Sequence, residues 1–411
     1  MTAFLDKLRC SPRIRAVVAA GLLSLIGSSL NAASPIPGLF NTGVDGAGVN
    51  LPGGADDPHY AIIIDPSGLG DMVVPSDGFP IGPWIANGPN SQWIGPSDGN
   101  DAEGPGGDYF YETTFDTTGF HPTNWFVSGN WATDDSGLAI LINGNGTANP
   151  VAGGFGALTP FVVSGAMGGV PGVNSLVFQV GNGGGPTGLR VEVDYSRAAP
   201  AGSVPIPGLH NTGVDAADQP LLRFVDDPHY DLVAGPLGGF PAGPVAVDDT
   251  AVENGEFPIP PWIPNSATSR WISPKLDGAG NAEEGFFYFQ TTFDLTGLDP
   301  STAVITGLWS TDNTGHEILL NGVATGNPQV GSFPVLSPFE ISNALGDTFL
   351  PGINTLTFVV ENAPASFNPA GLRVEGMVAH ANPVPEPSTF VLAAMGFGMT
   401  VWSIRRRRHG R

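Results

Sequence analysis

The sequence predicts an all-β protein made of two tandem β-sandwich domains, and three observations carry that expectation. The first is duplication. Residues 128–147 read SGNWATDDSGLAILINGNGT and residues 306–325 read TGLWSTDNTGHEILLNGVAT. Each copy holds a tryptophan, an acidic loop, an apolar strand and an Asn-Gly turn, in that order. The second is a period of two in the apolar residues between turn signals, the spacing of a strand with one buried face. The third is that no stretch of the body keeps helical periodicity over three turns.

Taken in chain order, the N-terminus comes first. Lys7, Arg9, Arg13 and Arg15 precede an apolar run from Ala16 to Ile26, and small residues lead to Ala32 and Ala33. Basic region, apolar stretch and small-residue exit are the parts of a secretory signal peptide over residues 1–33, which implies the Sec export machinery. Cys10 is the only cysteine and lies within that signal. The mature chain therefore has no disulfide or thiolate metal site, and its stability rests on core size.

Two copies of one domain follow. Pro35-Ile36-Pro37-Gly38-Leu39 returns as Pro205-Ile206-Pro207-Gly208-Leu209, and Asp56-Asp57-Pro58-His59-Tyr60 as Asp226-Asp227-Pro228-His229-Tyr230. Trp93 matches Trp271, Thr113-Thr114-Phe115-Asp116 matches Thr291-Thr292-Phe293-Asp294, and Gly188-Leu189-Arg190-Val191-Glu192 matches Gly371-Leu372-Arg373-Val374-Glu375. A repeat of this length is one folding unit made twice. The boundaries read 35–196 and 205–380, with residues 197–204, small and Pro-containing, as a short linker that holds the domains as neighbours.

Within each copy, Tyr109, Tyr111, Thr113 and Phe115 share a strand face, as do Phe287, Phe289, Thr291 and Phe293. Ile140 and Ile142 match Ile318 and Leu320; Leu176, Phe178 and Val180 match Leu356, Phe358 and Val360. Leu189, Val191 and Val193 alternate with Arg190 and Glu192, one apolar face and one charged. Asn143-Gly144 and Asn321-Gly322 suit tight hairpins because both residue types tolerate positive φ. Although Gly (59) and Pro (40) make up about a quarter of the chain, 24 Phe, 8 Trp and this alternation argue for a folded, loop-rich body. Short strands with turns between them point to a jelly-roll sandwich. The run G-x-W-x-T-D, I-x-x-N-G, P-G-x-N-x-L-x-F and G-L-R-V-E is similar to galactose-binding-like jelly rolls over the C-terminal half of each copy.

The C-terminus reads Val384-Pro385-Glu386-Pro387-Ser388, then an uncharged, mostly apolar run from Phe390 to Ile404, then Arg405, Arg406, Arg407 and Arg408. Four arginines hold the end of a short transmembrane helix in the cytoplasm and leave the body outside. This order resembles the PEP-CTERM sorting tail of Gram-negative bacteria. The resemblance implies recognition by an exosortase, a membrane transpeptidase-like enzyme, and an association with extracellular polysaccharide. Without signal and tail, six basic and 36 acidic residues remain, so the mature body is near −30 against −23 for the chain. Such a surface repels nucleic acid, which excludes it as a partner, and attracts divalent cations.

Candidate site residues fall into three groups. His59 and His229 stand beside carboxylates, an arrangement open to ligand or metal contact, to general-base work, or simply to a turn opened by Asp-Pro. Asp134, Asp135, Asp312 and Asn313 are clustered oxygen donors that suit Ca²⁺ or turn chemistry. They form no EF-hand, and the change of Asp135 to Asn313 suggests that the copies need not share a ligand. Asp45 and Asp215, with Asp56-Asp57 and Asp226-Asp227, are further possible donors. Trp131 and Trp309 sit at strand positions and read as core, whereas Trp84 and Trp262 lie among Pro and Gly in loops, where exposure as a platform for a pyranose ring competes with ordinary packing. Trp125 has no aligned partner, since Val304 falls near its place. No phosphate-binding glycine loop is present, because Gly181–Gly185 leads into a strand. Acidic residues are too numerous for any pair to mark a glycosidase. The expectation is a non-enzymatic surface or matrix protein contacting extracellular polysaccharide. The competing readings are an acidic coat protein without a specific ligand and, behind it, a secreted polysaccharide hydrolase.

Overall fold

The computed structural model describes residues 35–68, 74–75, 80–96, 103–147, 149, 152–236, 244–247, 261–274, 282–329, 333–363 and 369–384. The expected signal peptide, the sorting residues from Pro385 onward, the transmembrane segment and the arginine cluster lie outside them.

Repeat one is built from β1 (Ala61–Ile64), β2 (Gly107–Asp116), β3 (Phe120–Asp134), β4 (Ser136–Ile142), β5 (Thr159–Ser164), β6 (Val173–Asn182) and β7 (Gly188–Pro200). Repeat two has β8 (Asp231–Ala234), β9 (Gly285–Asp294), β10 (Leu298–Asp312), β11 (Thr314–Leu320), β12 (Ser337–Ser342), β13 (Ile353–Asn362) and β14 (Gly371–Pro383). Each strand of the second set has the length of its counterpart in the first. Among the described residues the only helical elements are single 3₁₀ turns at Gly165–Met167 and Asn343–Leu345.

Among the described residues all pairings are antiparallel. One sheet of repeat one runs β1-β2-β6-β4, extended by Asn145–Gly146, and the other runs β7-β3-β5. Repeat two follows the same order, β8-β9-β13-β11 and β14-β10-β12, with Trp271–Ser273 and Val245–Val247 added outside β14. Bulges recur at equivalent places, between Gly137 and Ala139 and between Gly315 and Glu317. At Gly137 and Gly315 an added Cβ would meet the Trp131 and Trp309 rings at 2.6 and 2.7 Å. Only glycine lets the bulge approach the core tryptophan that closely.

The alternation sets the core. Tyr109, Tyr111, Phe115, Ile140, Ile142, Leu176, Phe178 and Val180 on one sheet meet Val127, Trp131, Phe161, Leu189 and Val191 on the other. The matching residues of repeat two, with Trp309 at the centre, form the second core. Sandwich interiors pack in this way because every second side chain of both sheets points inward. The turns at Asn143 (φ 49°) and Gly144 (φ 79°), and at Asn321 (52°) and Gly322 (81°), are the two-residue hairpins expected.

Two expectations change. Residues 197–200 continue β7; after a turn at Ala201–Ser203, Val204–Pro205 pair with β14. Their smallness serves packing, since Ala198 lies in the core of repeat one and Ala199 in an apolar cluster shared with repeat two. That cluster joins Phe126 and Val162 to Leu308 and Val378, with Tyr195 and Leu336 against it. Gly376 (φ +64°) lies under the Phe126 ring, where a Cβ would collide. The second change concerns Trp125. Phe126 and Val304 pair with Ser164 and Ser342, so Ala303, not Val304, stands at its place. Trp125 packs edge-on to Phe115 at 5.2 Å, and in repeat two Phe349 does the same to Phe293 at 6.2 Å. Repeat one makes room with Gly165, whose Cβ would lie 2.7 Å from the indole nitrogen; repeat two has Asn343 there.

Candidate functional site

The charged face expected on β7 and β14 is covered. Arg190 and Arg373 are only 3% and 2% exposed because the segments 80–96 and 261–274 lie across that side of the sheet. Arg190 donates to Glu192 at 2.5 Å, to Ser91 Oγ at 3.0 Å and to the Ala86 carbonyl. Arg373 repeats the pattern with Glu375 at 2.6 Å, Ser269 Oγ at 2.8 Å and the Pro264 carbonyl. Ser266 and Thr268 also donate to Glu375. A buried ion pair of this kind is held by its complete hydrogen-bond set rather than by Coulomb attraction alone.

The covering loops also correct the reading of Trp84 and Trp262 as exposed platforms. They are 8% and 6% exposed, and each ring lies against its neighbour, Trp93 or Trp271, with centroids 4.4 Å apart. Trp93 and Trp271 are fixed by indole N–H bonds to the Ile85 and Ile263 carbonyls, both 2.9 Å. Loop composition signals turns, but a Pro/Gly-rich loop laid on a sheet buries its large rings like any core segment.

Under these tryptophans lie the first members of the acidic pairs. Trp262 Nε1 donates to Asp312 Oδ2 at 3.0 Å, and Trp84 bonds Asp134 in the same way. Burial pushes the Asp312 carboxyl up to about 7, with the Trp262 bond opposing. Asp134 is also pushed up to about 7, first by burial and then by neighbouring Asp135. In both residues Oδ1 is buried without a hydrogen-bond partner. The second members have a different task. Asp135 Oδ2 accepts from the Gly183 amide at 2.7 Å, and Asn313 Oδ1 accepts from the Ala363 amide at 2.8 Å. Asp and Asn both supply the oxygen for that amide contact, while only Asp135 adds a charge beside its neighbouring carboxyl. Ca²⁺ needs six to eight converging oxygens. Among the described residues no three His, Cys, Asp or Glu side chains converge in a metal-holding group.

His59 and His229 are packed rather than presented. His59 stacks on Phe40 and His229 on His210, with ring centroids 3.6 Å apart in both. The preceding Asp straps the loop: Asp57 accepts from the Gly43 and His59 amides at 2.6 and 2.8 Å, and Asp227 from Gly213 and His229 at the same distances. Tyr60 and Tyr230 close the motif through hydroxyl bonds to the Phe40 and His210 carbonyls. Asp45 and Asp215 likewise spend one oxygen each on local backbone amides. The repeated D-D-P-H-Y is therefore a structural strap.

A site does form where sequence reading placed none, in a cleft of about 290 Å³ walled by both repeats. Asn130, Asp194 and Tyr195 line one wall; Ser266, Leu308 and Pro338 line the other. Asn130 Nδ2 donates to Asp194 Oδ2 at 2.5 Å. The Asp194 side chain reaches cleft water, yet the walls withhold enough solvent to push its carboxyl up to about 6, with Glu192 adding to the rise and Asn130 opposing it. The position just before the core tryptophan is Asn130 in repeat one and Leu308 in repeat two. Duplication followed by divergence thus puts a polar side chain on one wall and an apolar one at the equivalent position of the other. The signal in the sequence was that contrast between copies, which has no meaning until the two faces are known to meet.

Residues 383–408 match a family model described as the PEP-CTERM protein-sorting motif. A search of the curated proteins gives no match. Among solved structures, the chain is similar to a Pleurotus ostreatus lectin in complex with GalNAc, at 15% identity over 80% of this chain and 84% of that one, TM-score 0.30. It is also similar to a CBM22-1-CBM22-2 tandem domain from Paenibacillus barcinonensis, at 10% identity over 87% and 100%, TM-score 0.24. A third is a Streptomyces avermitilis alpha-L-rhamnosidase complexed with L-rhamnose, at 14% identity over 80% and 28%, TM-score 0.20. The chain is an all-β protein of two tandem jelly-roll sandwiches that ends in a PEP-CTERM protein-sorting motif, which implies an exported protein processed by an exosortase.

Proposed function

We propose that this exported protein acts without catalysis and contacts extracellular polysaccharide through the cleft between its repeats. The observation that carries the reading is the cleft's two-sided chemistry. A sugar ring offers an apolar C–H face and a rim of hydroxyls. Leu308, Pro338 and the Tyr195 ring suit the first, and the Asn130–Asp194 pair and Ser266 suit the second. The net charge of the mature body favours neutral or amino sugars over uronates, which it repels. Glu192 and Glu375 are tied to buried arginines, so neither is free to act as nucleophile or general acid. The test is binding of the mature body to neutral, amino and uronate polysaccharides, with and without chelator. Binding lost in Asn130→Ala supports the reading; binding to none of them removes it, and chelator-sensitive binding would assign Ca²⁺ a role.

One observation favours a second reading, an acidic coat component without a specific ligand. Trp84, Trp262, His59, His229, Asp57 and Asp227, singled out from the sequence, are packed against or bonded to their own repeat. That reading expects no glycan binding and surface retention unchanged in Asn130→Ala.

A further inference from the structure

We propose that the end of repeat two from which the sorting tail leaves is a membrane-docking surface, seated on a zwitterionic lipid interface while the tail is still attached. Three turns form that end. The Leu295 amide donates to the Gly352 carbonyl at 2.9 Å, Asn343 Nδ2 to the Pro300 carbonyl at 3.2 Å, and Asn321 Nδ2 to Asn354 Oδ1 at 2.8 Å. They present large apolar side chains to solvent: Val323 is 69% exposed, Leu345 61%, Leu350 47% and Ile353 64%. Apolar residues gathered at one place in this way mark an interaction surface rather than ordinary scatter.

The chain itself says what covers them. The Val384 amide is held by the Gly297 carbonyl at 2.9 Å, on the same group of turns. Only five residues, 385–389, separate Val384 from the apolar run that starts at Phe390. Five extended residues reach at most roughly 18 Å. The headgroup layer outside the hydrocarbon takes up about 5–8 Å of that reach. The tethered fold therefore meets the membrane with this end, and its exposed side chains can enter the interface.

Comparison of the repeats points the same way. Repeat one has Asn145, Val170 and Val173 where repeat two has Val323, Leu350 and Ile353, and Met167 where repeat two has Leu345, so the copy next to the tail carries the larger or more apolar residue at three of the four places. Asp299 and Asp347 stand near these turns, and the body is strongly acidic, which favours zwitterionic over anionic headgroups.

The full chain in a Cys10→Ser background is labelled with an environment-sensitive fluorophore at Val323→Cys, Ile353→Cys or Leu222→Cys and reconstituted through its tail into phosphatidylcholine vesicles. Leu222 is 73% exposed but follows a segment that runs along β14 away from Val384, from Val204 opposite Ala381 to Thr212 bonded to Val374. Acyl-chain quencher should cut emission roughly twofold or more at 323 and 353, the depth of an interfacial side chain, and leave 222 unchanged. No quenching at 323 and 353 overturns the proposal. So does equal quenching at 222, which would mean unspecific adhesion. A quencher-independent blue shift that grows with protein density also overturns it, because a second copy would then be the cover.

Discussion

The two carboxyls under the loop tryptophans should make this protein lose stability as pH rises through neutrality. Asp134 and Asp312 are buried and each takes an indole hydrogen bond, while burial, joined at Asp134 by the neighbouring Asp135 carboxyl, disfavours the charged form. An aspartate with two hydrogen bonds from solvent or backbone ionises easily; these do not, and both are pushed up to about 7 from 3.8. In the unfolded chain the same groups ionise near 3.8. Their favourable contribution is therefore complete below that pH and is lost as pH rises through 7, since the unfolded state binds fewer protons in between. The pKa difference corresponds to at most about 4 kcal/mol for Asp312 and to less for Asp134, whose carboxyl is screened by more solvent. Asp134→Asn with Asp312→Asn keeps an oxygen for each indole and removes the titration. Urea midpoints of the mature body at pH 4, 6 and 8 should fall steeply for the natural protein and more gently for the double variant, which becomes the more stable at pH 8. Asp227, pushed up to about 6 by burial, leaves some slope in both. Identical slopes in the two proteins would refute the reasoning.

Arg373→Ala strands Glu375, which is fully buried, and should cost about 3–5 kcal/mol in urea unfolding. Arg190→Ala should cost less, because Glu192 keeps some contact with water. Trp262→Ala removes a ring packed on Trp271 and should cost about 3–5 kcal/mol by the same assay, so it reads stability and not sugar contact. Gly376→Ala places a methyl group against the Phe126 ring at positive φ. It should loosen the two repeats from each other, seen as new proteolytic cleavage between them, with each repeat's own core unchanged.

What was legible in the sequence follows one physical line. Period-two alternation reports which face of a strand is buried, so Tyr109, Phe178, Trp131 and their counterparts were placed correctly, and Asn143-Gly144 gave its turn away by residue type. Alternation cannot report a second layer. Arg190 and Glu192 looked like a solvated face because nothing local says that residues 80–96 fold over them. Trp84 looked exposed because loop chemistry encodes turns and not what the loop lies upon. Residues 197–204 read as a linker because a small residue at a close approach looks the same as one in a connecting segment. The Asn130–Asp194 pair was invisible for the same reason: its surroundings come from the other repeat.

The most direct test of the account is the affinity of the mature body for neutral and amino-sugar polysaccharide, compared with Asn130→Trp, which fills the cleft without touching either core. The account predicts binding in the natural protein and its loss in the filled variant, with unfolding unchanged. Equal binding in both would contradict it and place any sugar contact elsewhere.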